Sequence, residues 1–218
     1  MVPIIGIVGK SGVGKTHVMG KLVTELKNRG YRVATVKHSA HDVNLDLKGK
    51  DSWHHAQAGS DAVIISSPHR FAIIRTMDHD SSLAELSRFI GPDFDIILAE
   101  GFKQDKVPKI EVHRKEPGSD LVCEQQELLA IVTDEALELD IPQYSADDTH
   151  ALVDLIEGKY LTKEEKAAVS LYVNGEPVPL NDFVRNLISN VLFGLVASLK
   201  RIPQATGIDI SVRKKDRQ

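Results

Sequence analysis

With 218 residues and 42% hydrophobic side chains, the chain can bury one good core and a small second unit. Its formal net charge of −4 excludes the general basic field with which a protein recruits nucleic acid, and the short basic run Arg213-Lys214-Lys215 reads as a solvated end. A single cysteine, Cys123, excludes an internal disulfide and fits a reducing cytoplasm.

The first predicted element is a short apolar strand, Ile4, Ile5, Ile7 and Val8, of the kind that buried parallel sheets use. It runs straight into Gly9-Lys10-Ser11-Gly12-Val13-Gly14-Lys15-Thr16, the Gly-x-x-x-x-Gly-Lys-Thr spacing of a phosphate-binding loop. The chemistry needs that spacing. Glycines let the backbone come close to a phosphate, and its N–H groups cradle the anion at the start of a helix whose dipole favours negative charge. Lys15 is then placed for the β- and γ-phosphates, and the Thr16 hydroxyl for Mg²⁺. Val18, Leu22 and Leu26 fall at helical spacing behind the loop, and Gly30 stops the helix.

Arg32–Lys37 reads as a second strand, followed by a polar loop from His38 to Lys50. In that loop Asp42 and Asp46 are placed to complete a Mg²⁺ shell or to orient a water on the γ-phosphate. His38 and His41 lack a third ligand for a transition metal, which leaves a second substrate, a partner or plain solvent as what they face. A short helix capped by Asp51 or Ser52 runs through Ala58, and Ala62–Ile65 and Phe71–Ile74 are further strands. Ser82-Leu83-Ala84-Glu85 is a capping box opening a helix that Gly91-Pro92 closes. Phe94–Ala99 is the next buried strand, with Asp95 at its start and Glu100 at its end, about 16 Å apart at roughly 3.3 Å per residue. Ligands of a parallel sheet sit at the carboxyl ends of its strands, so Glu100, beside Gly101, is the acid for the metal. After the apolar run Leu129–Val132 comes Asp134, where an acid accepting from guanine N1–H and its exocyclic amine belongs; a helix-capping role is the alternative. His150–Glu157 is a short helix. The alternation predicts an α/β, P-loop NTPase three-layer sandwich with a mainly parallel sheet over residues 1–157.

A charged linker is expected over 158–166 and a small C-terminal β-α-β appendix over 167–218. The appendix consists of alternating Val169, Leu171 and Val173, a helix capped by Asn181, and a last strand through Ile208, Ile210 and Val212. The helix is apolar along one face from Phe183 to Leu199, but Arg185, Asn186 and Asn190 interrupt it, so it is no membrane span. Met1 leads almost directly into the first strand, and no signal peptide is expected. Cytoplasmic placement follows as the expectation.

Taken in order, Gly9–Thr16, Lys37-His38 with Asp42 and Asp46, Gly49-Lys50-Asp51-Ser52, Ala58-Gly59-Ser60-Asp61, Glu100-Gly101-Phe102-Lys103 and Pro108-Lys109-Ile110-Glu111 resemble the molybdopterin-guanine dinucleotide biosynthesis protein B (MobB) family. The resemblance covers about residues 4–155. It implies the nucleotide-binding fold class of the signal-recognition GTPases and nitrogenase iron protein. It also implies GTP as ligand or substrate, Mg²⁺, slow GTP hydrolysis and a homodimer. The implied partners are the guanylyltransferase that joins GMP to molybdopterin and other molybdopterin-handling proteins. Residue by residue, Lys15 and Thr16 become phosphate and Mg²⁺ contacts, Asp46 and Glu100 lie near the metal, and Lys109 belongs to the Pro-Lys-Ile-Glu signature. The chain departs from the family at His38-Ser39-Ala40-His41, where a fuller histidine cluster is usual, and in its extra 167–218 unit. Lys10 sits where dimeric ATPases of the wider class place a lysine acting on the partner's site, but Ser11 replaces the glycine that normally follows.

Two other readings fit the same residues. One is a small-molecule kinase or ligase using the 38–50 loop as its acceptor pocket. The other is a nucleotide-gated adaptor with incidental hydrolysis, for which the apolar helix after Asn181 would be the docking face. Slow turnover fits the lack of an evident arginine finger, Arg70 and Arg75 being candidates by type alone.

Overall fold

The structure, a computed structural model, describes residues 2–39, 41, 43, 46–114, 120–161, 169–174, 176–200 and 204–212. Asp42, most of the expected linker and the basic run at 213–215 lie outside them. The chain divides into two compact units, Val2–Thr162 and Lys163–Gln218.

The first unit is built on a six-stranded sheet in the order β2-β5-β1-β6-β7-β8, with every pairing parallel. Its strands are β1 (Ile4–Val8), β2 (Val33–Lys37), β5 (Ile96–Glu100), β6 (Lys109–Val112), β7 (Leu128–Val132) and β8 (Gln143–Tyr144). Helices α1 (Lys15–Asn28) and α4 (Thr149–Tyr160) pack Val18, Leu22, Leu26, Leu152, Val153 and Ile156 against one face of this sheet. On the other face, α3 (Leu83–Ile90) sets Leu83 against Ala99 and Phe102. These are the three layers of the expected sandwich.

Local chemistry explains the element ends. Gly30, at φ 90°, closes α1 with Tyr31 N–H donating to Leu26 O and Gly30 N–H to Lys27 O, a Schellman motif. Arg29 in the last turn then donates to Glu25 on α1 and to Asp154 and Glu157 on α4. One side chain thus ties the two helices of that layer together. Ser82 caps α3 as expected, its hydroxyl accepting from Glu85 N–H at 3.2 Å.

Several expectations are corrected. Helix α2 (Asp51–Gln57) has Lys50 at its cap with no side-chain bond, and the Ser52 hydroxyl donates instead to Asp46 Oδ1 at 3.0 Å. The strands β3 (Ala62–Ser66) and β4 (Phe71–Arg75) form an antiparallel hairpin of their own outside the main sheet. The helix expected over His150–Glu157 continues to Tyr160.

The C-terminal unit has the hairpin β9 (Leu171–Val173) and β10 (Glu176–Val178), then α5 (Asp182–Ala197), capped by Asn181 Oδ1 accepting from Val184 N–H. Residues 204–212 form no strand, so the appendix is a hairpin and helix rather than β-α-β. Ile208, Ile210 and Val212 alternate correctly, but alternation makes a strand only where a neighbouring edge supplies hydrogen bonds.

Candidate functional site

The phosphate-binding loop leaves β1 at Val8 and enters α1 at Lys15. Gly9, at φ 142°, passes so close to β6 that a Cβ there would lie 2.3 Å from Val112 O. Glycine is therefore required where the loop touches the neighbouring strand. Gly14 stands at the cap of α1 with no side-chain cap bond, and the first turn holds no acidic residue. A helix start of that kind suits an anion.

Lys15 folds back over the loop, its ammonium donating to Lys10 O at 2.5 Å and Gly9 O at 3.2 Å. Burial, with Lys103 and Lys37 nearby, holds its pKa below the ordinary lysine value against the opposing pull of Glu100. Ser11 lies exposed in the loop and Val13 packs on the core beneath it.

Strand periodicity places Glu100. Ile96 and Leu98 of β5 point into the core under α1, so Glu100, two residues on, emerges on the same face. The Thr16 hydroxyl reaches both of its carboxylate oxygens, at 3.2 and 3.3 Å, and Lys37 Nζ of the adjacent strand lies 3.5 Å from Oε1. Gly101, at φ 109°, then lets the chain turn against His38, whose Cβ and carbonyl oxygen would each stand 3.2 Å from an added Cβ. Asp95 sits before the other end of β5, accepting from Arg32 N–H. An acid, a hydroxyl and three lysines (Lys15, Lys37, Lys103) thus meet at the carboxyl end of the sheet, an arrangement fit for a polyphosphate and a hard cation.

Not every expected residue joins them. Asp46 accepts from Leu47 N–H and the Ser52 hydroxyl, and none of its described contacts is to Thr16 or Glu100. His38 pairs with Asp80 at 3.0 Å and tilts against Phe102. Among the described residues, no group of three or more His, Cys, Asp and Glu is placed to hold a metal ion. Arg75 lies over the Phe89 ring, and Arg70 belongs to the turn of the β3–β4 hairpin.

On the other side of the loop, Asp134 follows β7 with no helix starting after it before α4, so the capping alternative falls. Its carboxylate pairs with Arg114 Nη1 at 3.6 Å. Arg114, immediately beyond β6, stands beside the phosphate loop, its Nη2 3.9 Å from where a Gly14 Cβ would lie. Neither the arginine nor β6 itself was evident in the sequence: Lys-Ile-Glu-Val looks half-polar, yet all four residues are buried. Glu111 accepts from the backbone of Val122 and Cys123, and Lys109 Nζ lies 3.0 Å from Glu127 Oε2.

The profile of molybdopterin guanine dinucleotide synthesis protein B (MobB) matches residues 4–134, more than half of the chain. The chain belongs to the MobB family. A molybdopterin-guanine dinucleotide biosynthesis adapter protein of Haemophilus influenzae is 39% identical over 157 residues, covering 72% of this chain and 88% of its own length. A putative adapter protein of the same description from Methanocaldococcus jannaschii is 22% identical across 97% of this chain and 98% of its own, an alignment that extends into the C-terminal unit. The crystal structure of Bacillus subtilis MobB superposes with a TM-score of 0.60 at 26% identity, covering 74% of this chain and 99% of that one. The first unit therefore has the MobB fold, a parallel sheet with helices on both faces. No helix among the described residues is long and apolar enough to cross a membrane.

Proposed function

We propose that this MobB-family chain binds GTP with Mg²⁺, hydrolyses it slowly, and serves as an accessory protein in joining GMP to molybdopterin, in contact with the guanylyltransferase of that step. The observation that carries the nucleotide reading is the Thr16–Glu100 pair set beside Lys15 at the start of α1. The two side chains offer oxygen ligands, which suit Mg²⁺, and the absence of a larger ligand cluster among the described residues fits a cation that draws its other ligands from phosphate and water. Bound there, Mg²⁺ would supply charge neutralisation between the β- and γ-phosphates. Lys15 and Lys37 add positive charge from this chain, and the loop amides Gly9–Thr16 orient the phosphates. Asp46, held by Ser52 one loop away, enters this site only if the loop rearranges. The pathway assignment rests on the family and on the roles of the relatives.

Guanine selection is assigned to Asp134. Calorimetric titration of GTP and ATP, each with Mg²⁺, should show tighter binding of GTP by the wild type and near-equal binding by Asp134→Ala. Loss of paired hydrogen bonds to a charged acceptor is worth about 1.5–3 kcal/mol, roughly tenfold to a hundredfold in affinity. Equal binding of both nucleotides by the wild type removes guanine from the reading, and binding of neither removes the nucleotide.

The protein is also proposed to be a homodimer. Supporting this, the β3–β4 hairpin exposes Ile64, Phe71 and Ile73 on one face, with edges that the main sheet does not cover. Light scattering should give twice the chain mass for the wild type and the single-chain mass for Ile64→Glu/Ile73→Glu. A dimer that survives the double charge places the interface elsewhere. A second, adaptor-like reading is favoured by α5, whose Phe183, Leu187, Val191 and Leu195 are exposed at a spacing that lines up one helix face.

A further inference from the structure

The order of strands gives the nucleotide site a direction. Glu100 ends β5, on one side of β1, whereas Arg114 and Asp134 follow β6 and β7, on the other. A metal shared by β- and γ-phosphates would sit at Thr16 and Glu100, so the γ end of a triphosphate points toward β5. The nucleoside then leaves the loop on the opposite side, across the ends of β6 and β7. That is where the Arg114 guanidinium lies, between the loop at Gly14 and the carboxylate of Asp134. Its side chain is only 29% exposed, while that of Asp134 is 57% exposed.

We infer that Arg114 is a nucleoside-binding residue, its guanidinium plane forming the wall on which the base seats while Asp134 tethers it. The inference rests on the nucleotide reading above and adds to it the residue that holds the nucleoside rather than the phosphates. Two features of the side chain suit the task. The guanidinium is planar and weakly hydrated, so a purine can stack on it. Its charge also holds the Asp134 carboxylate in direction, at 3.6 Å, so that the acid can accept two hydrogen bonds from a guanine edge.

The test separates nucleoside from phosphate by using a ligand without a base. Full-length wild type, Arg114→Ala, Arg114→Lys and Lys15→Ala are titrated with GTP and with inorganic tripolyphosphate, each with Mg²⁺, and melted in parallel. Arg114→Ala should lose roughly tenfold in GTP affinity and change tripolyphosphate binding by less than about twofold. Lys15→Ala should lose both. Arg114→Lys, which keeps the charge without the plane, should resemble Arg114→Ala with GTP, and it carries the test should the alanine variant fail to fold. The inference is overturned by undiminished GTP binding in Arg114→Ala, by equal losses of both ligands, or by full rescue in Arg114→Lys. A wild type that binds tripolyphosphate as tightly as GTP overturns it while leaving the phosphate site standing. A wild type that binds neither ligand fails the nucleotide reading itself.

Discussion

Lys15→Ala should weaken GTP binding by roughly a hundredfold or more while leaving the thermal midpoint close to that of the wild type. The ammonium is held over the loop by the carbonyls of Gly9 and Lys10, which leaves it aimed at the space the β- and γ-phosphates would occupy. Each charge-assisted hydrogen bond to a phosphate is worth about 1.5–3 kcal/mol, and loss of two is enough for the expected fall. Stability should not follow, because burial and the neighbouring Lys37 and Lys103 already oppose the charge on Lys15. Removing an ammonium from a cationic cluster relieves repulsion about as much as it forfeits two loop contacts. Calorimetry with GTP and a melting curve check both halves. Unfolding of the variant would show that the loop is a structural turn, and unchanged affinity would dismiss it as the phosphate site.

The second large effect lies in stability. Glu127→Ala should cost about 2–3 kcal/mol, whereas Lys109→Met should stay within about 1 kcal/mol of the wild type. Lys109 is 0% exposed, with Glu127 Oε2 3.0 Å from its ammonium, and Glu127 itself is 34% exposed. Truncating the glutamate strands a buried charge; replacing the lysine by a neutral chain of similar length removes that charge and lets the glutamate hydrate. The value is placed below the full range for a broken buried pair because water already reaches Glu127. At about 2–4 °C per kcal/mol for a chain of this size, Glu127→Ala should melt roughly 5–10 °C lower. The double variant Glu127→Ala/Lys109→Met should recover most of that loss. If Lys109→Met melts as low as Glu127→Ala, the methylene packing of the lysine rather than its pairing matters.

The same pair shows why part of the fold was hidden from a linear reading. Parallel strands buried on both faces normally announce themselves as apolar runs, as β1, β5 and β7 do. Strand β6 does not, because its two charged residues face groups outside the strand: Lys109 is charge-paired with Glu127 at 3.0 Å, without a hydrogen bond to its buried ammonium, and Glu111 accepts from the backbone of Val122 and Cys123. Without β6 in the pattern, Arg114 beyond it has no address, and Arg70 and Arg75, the candidates by type, are set by the fold in a hairpin turn and over Phe89. The C-terminal strand expected at Ile208–Val212 erred in the opposite direction, since its pattern was right and its partner was missing.

What the amino-acid sequence determined by itself is the local chemistry: the loop Gly9–Thr16, the apolar strand before it and the helix after it, the Ser82 and Asn181 caps, and the acid at the end of β5. Each of these depends on neighbours within a few residues, through backbone freedom, capping hydrogen bonds or side-chain period. Family membership was legible for the same reason, since its motifs are short and stand in order. Only the tertiary structure decided which of the expected groups meet. It set Glu100 against Thr16 and Lys37, left Asp46 bonded to Ser52, turned β3 and β4 into a separate hairpin, and brought Arg114 between Gly14 and Asp134. Those outcomes follow from strand order and register, which bring together residues as far apart along the chain as Gly14 and Arg114 through hydrogen bonding and core packing that no local window contains.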